Sequence, residues 1–179
     1  MKIGIDISES GAMVPPVFAF QNEVEFVSKF AWELWLQSSR AGHIVHITSD
    51  SSTTRRATRQ NSRHLNLALV CQASGGDHGT LLFDPGTSRL NRTRAMKAAI
   101  FMASRFGYDF VCAEATDDDL KLIRHYKAFC WIVKPKFRTA IGTDYFGTND
   151  TVRTGRGIWD AIFFAYDLQR PNIVSAQSA

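Results

Sequence analysis

Apolar positions in this chain form two patterns that alternate along its length: short unbroken runs, and longer stretches in which apolar residues recur every third or fourth position. The runs read as buried strands and the recurring stretches as helices with one face inward. The clearest run is Leu65-Asn66-Leu67-Ala68-Leu69-Val70-Cys71, which breaks into Gln72-Ala73-Ser74-Gly75-Gly76. Such a run is a strand of an α/β sheet, and these sheets place ligands just beyond the carboxyl ends of their strands. Gln72 is therefore expected at a site.

The same reading gives further strands at Lys2 to Asp6, His43 to Thr48, Gly79 to Phe83, Phe110 to Ala113 and Phe129 to Val133. Helices are predicted from about Glu23 to Arg40, with Gly42 placed to cap the end, from Asn91 to Phe106, from Asp117 to Tyr126 and from Thr151 to Leu168. A further helix leads into the Leu65 strand and carries Arg55, Arg56 and Arg59, with Arg63 beyond. Those arginines make either a solvated basic face or an anion-binding rim. Trp32 and Trp35 are read as packing residues of the first helix. Between the first strand and that helix, Pro15 and Pro16 exclude a regular helix, and Val14, Val17, Phe18 and Phe20 make an unusually apolar loop. That loop either packs on its own domain or meets a partner or a second copy of the chain.

Length and composition narrow this picture. With 179 residues and 45% apolar content the chain suits one domain, placed at residues 1–170 with a loosely held tail at 171–179. The net charge of +4 favours an anionic partner but is too small for a dedicated nucleic-acid binder, so nucleic acid is not expected. Cys71, Cys112 and Cys130 are odd in number and lie in apolar stretches, which reads as buried free thiols in a reducing compartment. No basic leader and no apolar run of membrane-spanning length is present. A soluble cytoplasmic protein with no membrane partner is the expectation.

Order and spacing then add a resemblance. The first strand runs into Asp6-Ile7-Ser8-Glu9-Ser10-Gly11, Glu23 opens the first long helix, Arg56 precedes Asn61 by five residues, Gln72 follows Asn61 by eleven, and Val133-Lys134-Pro135-Lys136-Phe137 closes a late strand. Together these resemble the zinc-dependent N-acetylmuramoyl-L-alanine amidases of the amidase-3 type, which cleave between the muramoyl lactyl group and the peptide stem. In that family the matching places read Asp-Pro-Gly-His-Gly-Gly, a zinc-binding glutamate, Ser-Ile-His-Ala-Asn with the second zinc histidine, and Val-Glu-x-Gly-Phe with the catalytic glutamate. The resemblance implies a three-layer α/β/α domain with a mixed, mostly parallel central sheet. It places Glu9, Glu23, Gln72 and Lys134 at the family's zinc-binding and catalytic positions.

Those four residues change the chemistry. A carboxamide is a poor zinc ligand, and an ammonium repels a cation and cannot accept a proton from a bound water. No cofactor and no metal are therefore expected, and no catalytic residue. Lys134 either takes over the metal's charge by pairing with Glu9 and Glu23, in which case Lys134→Ala is markedly destabilising, or points to solvent. A shifted metal site would draw on Glu9, Glu23 and His78. Cys71 alternates away from Gln72 and would not share it.

The leading functional reading is an amidase-fold protein that does not hydrolyse, but binds, sequesters or assembles, with a phage as one source the resemblance suggests. Arg56, Gln72, Lys134, Lys136 and Arg138 would line a cleft for an anionic small molecule or a peptidoglycan fragment. The alternatives are an active, endolysin-like peptidoglycan amidase with a variant metal site, released by lysis, and a structural subunit of a larger particle.

Overall fold

The computed structural model of the chain describes residues 1–7, 23–50, 52–74, 78–106, 110–136 and 148–168, with only the backbone course of residues 23, 24, 106 and 148–150. A six-stranded sheet organises it, built from β1 (Lys2–Ile7), β2 (Ile44–Ser49), β3 (Leu67–Cys71), β4 (Gly79–Phe83), β5 (Phe110–Glu114) and β6 (Phe129–Lys134) in the order β2-β1-β3-β6-β4-β5. The first four strands of that order run parallel, while β4 pairs antiparallel with β6 and parallel with β5. The sheet is thus mixed and mostly parallel.

Alternation along the strands sorts the side chains to two faces. Ile3, Ile5, Leu67, Leu69, Trp131 and Val133 face one layer, and α1 (Glu23–Arg40), α3 (Arg89–Phe106) and α5 (Thr148–Ala165) cover it with residues such as Phe30, Leu34, Met102 and Ile162. Ala68, Val70, Cys130 and Ile132 face the other, under Ala57 of α2 (Thr53–Asn61), Ile123 of α4 (Asp117–Ile123) and Tyr126 just beyond α4. Each strand of the centre is buried on both sides, which is why β3 and β6 read as unbroken apolar runs.

The α1 helix spans the predicted residues, and Gly42 follows it at φ +79°, a left-handed conformation that glycine adopts without strain. Asn61 ties α2 to the far side of the same layer: its Nδ2 donates to the His125 carbonyl at 2.8 Å, and its Oδ1 accepts from the Lys127 amide at 2.8 Å. The three cysteines carry free thiols, Cys71 and Cys130 fully buried and Cys112 partly so. Burial pushes the Cys112 thiol up to about 11 and the Cys130 thiol well above the ordinary range, which makes both poor nucleophiles.

Several boundaries differ from the sequence reading. The β3 strand begins at Leu67, because Leu65 leans on the α2 and α4 layer without joining the ladder. The α4 helix stops at Ile123, with Arg124 as its cap, so Tyr126 is free to turn toward the sheet. Trp32 is 56% exposed and stacks on Trp35 at a ring distance of 4.7 Å, so only the second of the pair packs on the core. No helix among the described residues is long and apolar enough to cross a membrane. The apolar loop with Val14, Val17, Phe18 and Phe20, and the tail at 171–179, lie outside the described residues.

Candidate functional site

The strand order makes the site. From β1 the chain crosses to β2 on one side, whereas β3 lies on the other side of β1, so the connections diverge beyond Ile7 and Cys71. Such a switch in strand order, at the carboxyl ends of parallel strands, is where α/β sheets generally place ligands. Gln72, immediately past β3, and Lys134, the last residue of β6, stand at that edge.

The two strands stay paired beyond their regular ladder. The Gln72 amide donates to the Val133 carbonyl at 3.1 Å, the Ser74 amide to the Pro135 carbonyl at 2.9 Å, and an isolated parallel bridge joins Ser74 to Lys136. By alternation, Gln72 continues the row of Ala68 and Val70, and Lys134 the row of Cys130 and Ile132, toward the α2 and α4 layer. Cys71 is in the opposite core, as expected from its neighbour's position. Gln72 and Lys136 are each 6% exposed.

Lys134 has a partner that sequence reasoning did not consider. Its Nζ lies 3.0 Å from Oδ1 of Asp119, in the first turn of α4, with the two side chains 23% and 20% exposed. The acidic run Asp117-Asp118-Asp119 reads in sequence as a favourable helix N-terminus, and nothing in the sequence shows that α4 sets Asp119 over the end of β6. The expected pairing of Lys134 with Glu9 and Glu23 involves side chains outside the described residues. Because this pair is water-accessible, Lys134→Ala should cost only about 0.5–1 kcal/mol, well short of the marked loss expected for a buried cluster.

Arg56 is the clear correction. It was expected at the rim of a cleft, but it is 1% exposed, with Nε 2.6 Å from Oδ1 of Asp6, itself fully buried. Its Nη1 donates to the Asp50 carbonyl and its Nη2 to Thr53 Oγ1 at 3.1 Å, while Tyr126 Oη donates to the second Asp6 oxygen. The arginine faces inward because Asp6, lodged between Ile5 and Ile7, needs a counter-charge away from water. That isolated acid in an apolar strand was the signal available in the sequence.

Burial and Arg56 pull the Asp6 carboxyl in opposite directions, and burial wins: its pKa is pushed up from 3.8 to about 6. The folded form therefore holds this proton more tightly than the unfolded chain does. Asp6's contribution to stability should be greatest below about pH 4 and fall by about 3 kcal/mol as pH rises to about 6, then level off. Urea unfolding at pH 4.5 and pH 7, in the native chain and in Asp6→Asn, checks this: the variant should lack this part of the slope.

The remaining expected site residues are quickly placed. His78 is exposed. Arg138 and Glu9 lie outside the described residues, as does the side chain of Glu23. Among the described residues no group of three or more histidines, cysteines and carboxylates is arranged to hold a metal ion. Of the residues at this edge, Gln72 carries a carboxamide and Lys134 an ion-paired ammonium, neither of which is a good zinc ligand.

No protein-family model and no curated protein matches the chain. Solved structures match its fold. An N-acetylmuramoyl-L-alanine amidase from Clostridium difficile 630 superposes with a TM-score of 0.74 at 12% identity, covering 94% of this chain and 97% of the other. The catalytic domain of an endolysin targeting Clostridia difficile gives 0.63 at 16% identity, over 91% and 97%. An amidase from Clostridioides difficile in complex with a lipoprotein gives 0.65 at 11% identity, over 94% and 100%. At such identities the likeness shows a shared amidase fold, and the chemistry has to be argued from the residues.

Proposed function

We propose that this chain uses an amidase fold to bind or assemble and does not hydrolyse peptidoglycan. One observation supports the reading: β6 ends in Lys134, at the place that the sequence resemblance gives to a catalytic carboxylate, and its ammonium is engaged by Asp119. An ammonium there cannot take a proton from an attacking water, and its charge opposes a bound cation. Gln72, just past β3, adds a buried neutral carboxamide to the same edge. The same edge, with Lys136 in the next position of its row, suits an anionic ligand such as a small acid or a peptidoglycan fragment. A site of action in the cytoplasm is part of the proposal.

Zinc titration followed by thermal melting, together with dye release from labelled cell walls, tests it. Equimolar zinc should leave the melting temperature unchanged, and cell walls should stay intact. Stoichiometric zinc that raises the melting temperature, with release of wall fragments that a chelator abolishes, would establish an active hydrolase with a variant centre and sink the reading.

A further inference from the structure

The Lys134 and Asp119 pair lies at the carboxyl edge of the sheet. The lysine projects from the carboxyl edge of the sheet beside Gln72 and one step from Lys136 in the same row, where α/β folds hold ligands. The carboxylate comes from a different element, the first turn of α4, and reaches Nζ at 3.0 Å. Its grip is light. The other oxygen of Asp119 accepts from Thr116 Oγ1 at 3.4 Å, a long bond, and both members of the pair are reached by water. The neighbouring Asp118 pairs with Lys121 at 2.9 Å on the exposed surface and makes no contact with Lys134.

We propose that Lys134 anchors a site for a small carboxylate ligand, and that Asp119 is a resident carboxylate which the ligand must displace. This deepens the binding reading given above and rests on it. The chemistry of the ligand follows from what the ammonium already holds: a carboxylate at hydrogen-bond distance, in an orientation set by the protein. Gln72 and Lys136, flanking Lys134 along the same edge, are buried, so the ligand's contact is with Lys134. The internal acid lowers apparent affinity by the fraction of time it occupies Lys134. A partly exposed pair of this kind closes the site most of the time without locking it.

Calorimetric titration of succinate into the whole chain at low ionic strength tests the proposal, with inorganic phosphate as a second probe. Asp119→Asn should bind succinate about three- to tenfold more tightly than the native chain, since it frees the lysine. Asp118→Asn removes the same charge from the same turn and should change affinity less than about twofold, because Asp118 is exposed to bulk water and paired with Lys121, not with Lys134. Lys134→Met, whose fold is checked by its melting curve, should weaken binding at least about tenfold and make the Asp119→Asn effect vanish in the double variant. Phosphate should bind more weakly than succinate. The proposal is overturned if Asp119→Asn binds no tighter than the native chain, if Asp118→Asn matches its gain, if Lys134→Met binds as well as the native chain, or if phosphate is preferred. Cell-wall hydrolysis by the native chain would overturn the non-hydrolytic reading by itself. A failed Asp119 effect with intact walls would overturn only this inference.

Discussion

Arg56→Met is expected to lower the unfolding free energy by about 3–5 kcal/mol at pH 8. The arginine lies in the interior between α2 and the sheet, and Asp6 meets it at 2.6 Å with no water-accessible surface on either side chain to speak of. Methionine keeps much of the volume but takes away the counter-charge and the donors to the Asp50 carbonyl and Thr53. Among the described residues, Asp6 is then a buried carboxylate held only by Tyr126. The loss should shrink at pH 5, because Asp6 already titrates near pH 6 and a protonated acid needs no cation beside it. Adding Asp6→Asn to Arg56→Met should recover a large part of the deficit at pH 8. Urea unfolding of the two single variants and the double variant measures the coupling directly. A deficit independent of pH, or a double variant worse than the sum of its parts, would mean that the arginine stabilises through packing alone.

The second large effect is at the crossing of α1 and α5. Gly155 is buried in α5, and a Cβ added there would lie 2.5 Å from the Phe30 carbonyl oxygen, 2.7 Å from Glu33 Cβ and 3.0 Å from the Leu34 amide nitrogen. Helix propensity alone would favour alanine by about 1 kcal/mol. The obstructing atoms are mostly α1 backbone, which cannot swing aside, so the helices must separate and core contacts on both sides of the seam must loosen. Gly155→Ala should therefore lower stability by about 1–3 kcal/mol, and Gly155→Val by more. Thermal melting settles the sign. A Gly155→Ala chain that melts at or above the native temperature would show that propensity outweighs the clash.

These two places mark the boundary of what the sequence reveals. Elements with sharp periodicity and a clear stop were legible: α1 runs from Glu23 to Arg40 as read, and β4 from Gly79 to Phe83. The two unbroken apolar runs at β3 and β6 pointed to buried neighbouring strands, and they pair directly. Gln72 and Lys134 fall at the carboxyl edge because strand ends are local features. What faces what across the layers was not legible. Arg56 looks like its solvated neighbours Arg55 and Arg59 until Asp6 is placed opposite it, and Asp119 looks like an ordinary first-turn acid until α4 is laid over β6. Gly155 sits in a helical stretch whose apolar spacing gives no hint of how closely α1 approaches. In each case the missing information is a distance between elements far apart in the chain, which periodicity does not encode.

That seam also governs when the fold can be completed. Arg156 of α5 donates to Glu33 of α1 at 2.9 Å across 123 residues of chain, and Phe30 of α1 belongs to the same core as Ile158 and Ile162 of α5. While the chain is being synthesised, α1 emerges early with its apolar stripe formed, and the helix that covers that stripe is still unmade. Until α5 has been made, the first half of the sheet thus carries an open hydrophobic face, which is the condition under which nascent chains recruit chaperones or stick to one another. Arrival of α5, more than the pairing of the first strands, is what closes this face.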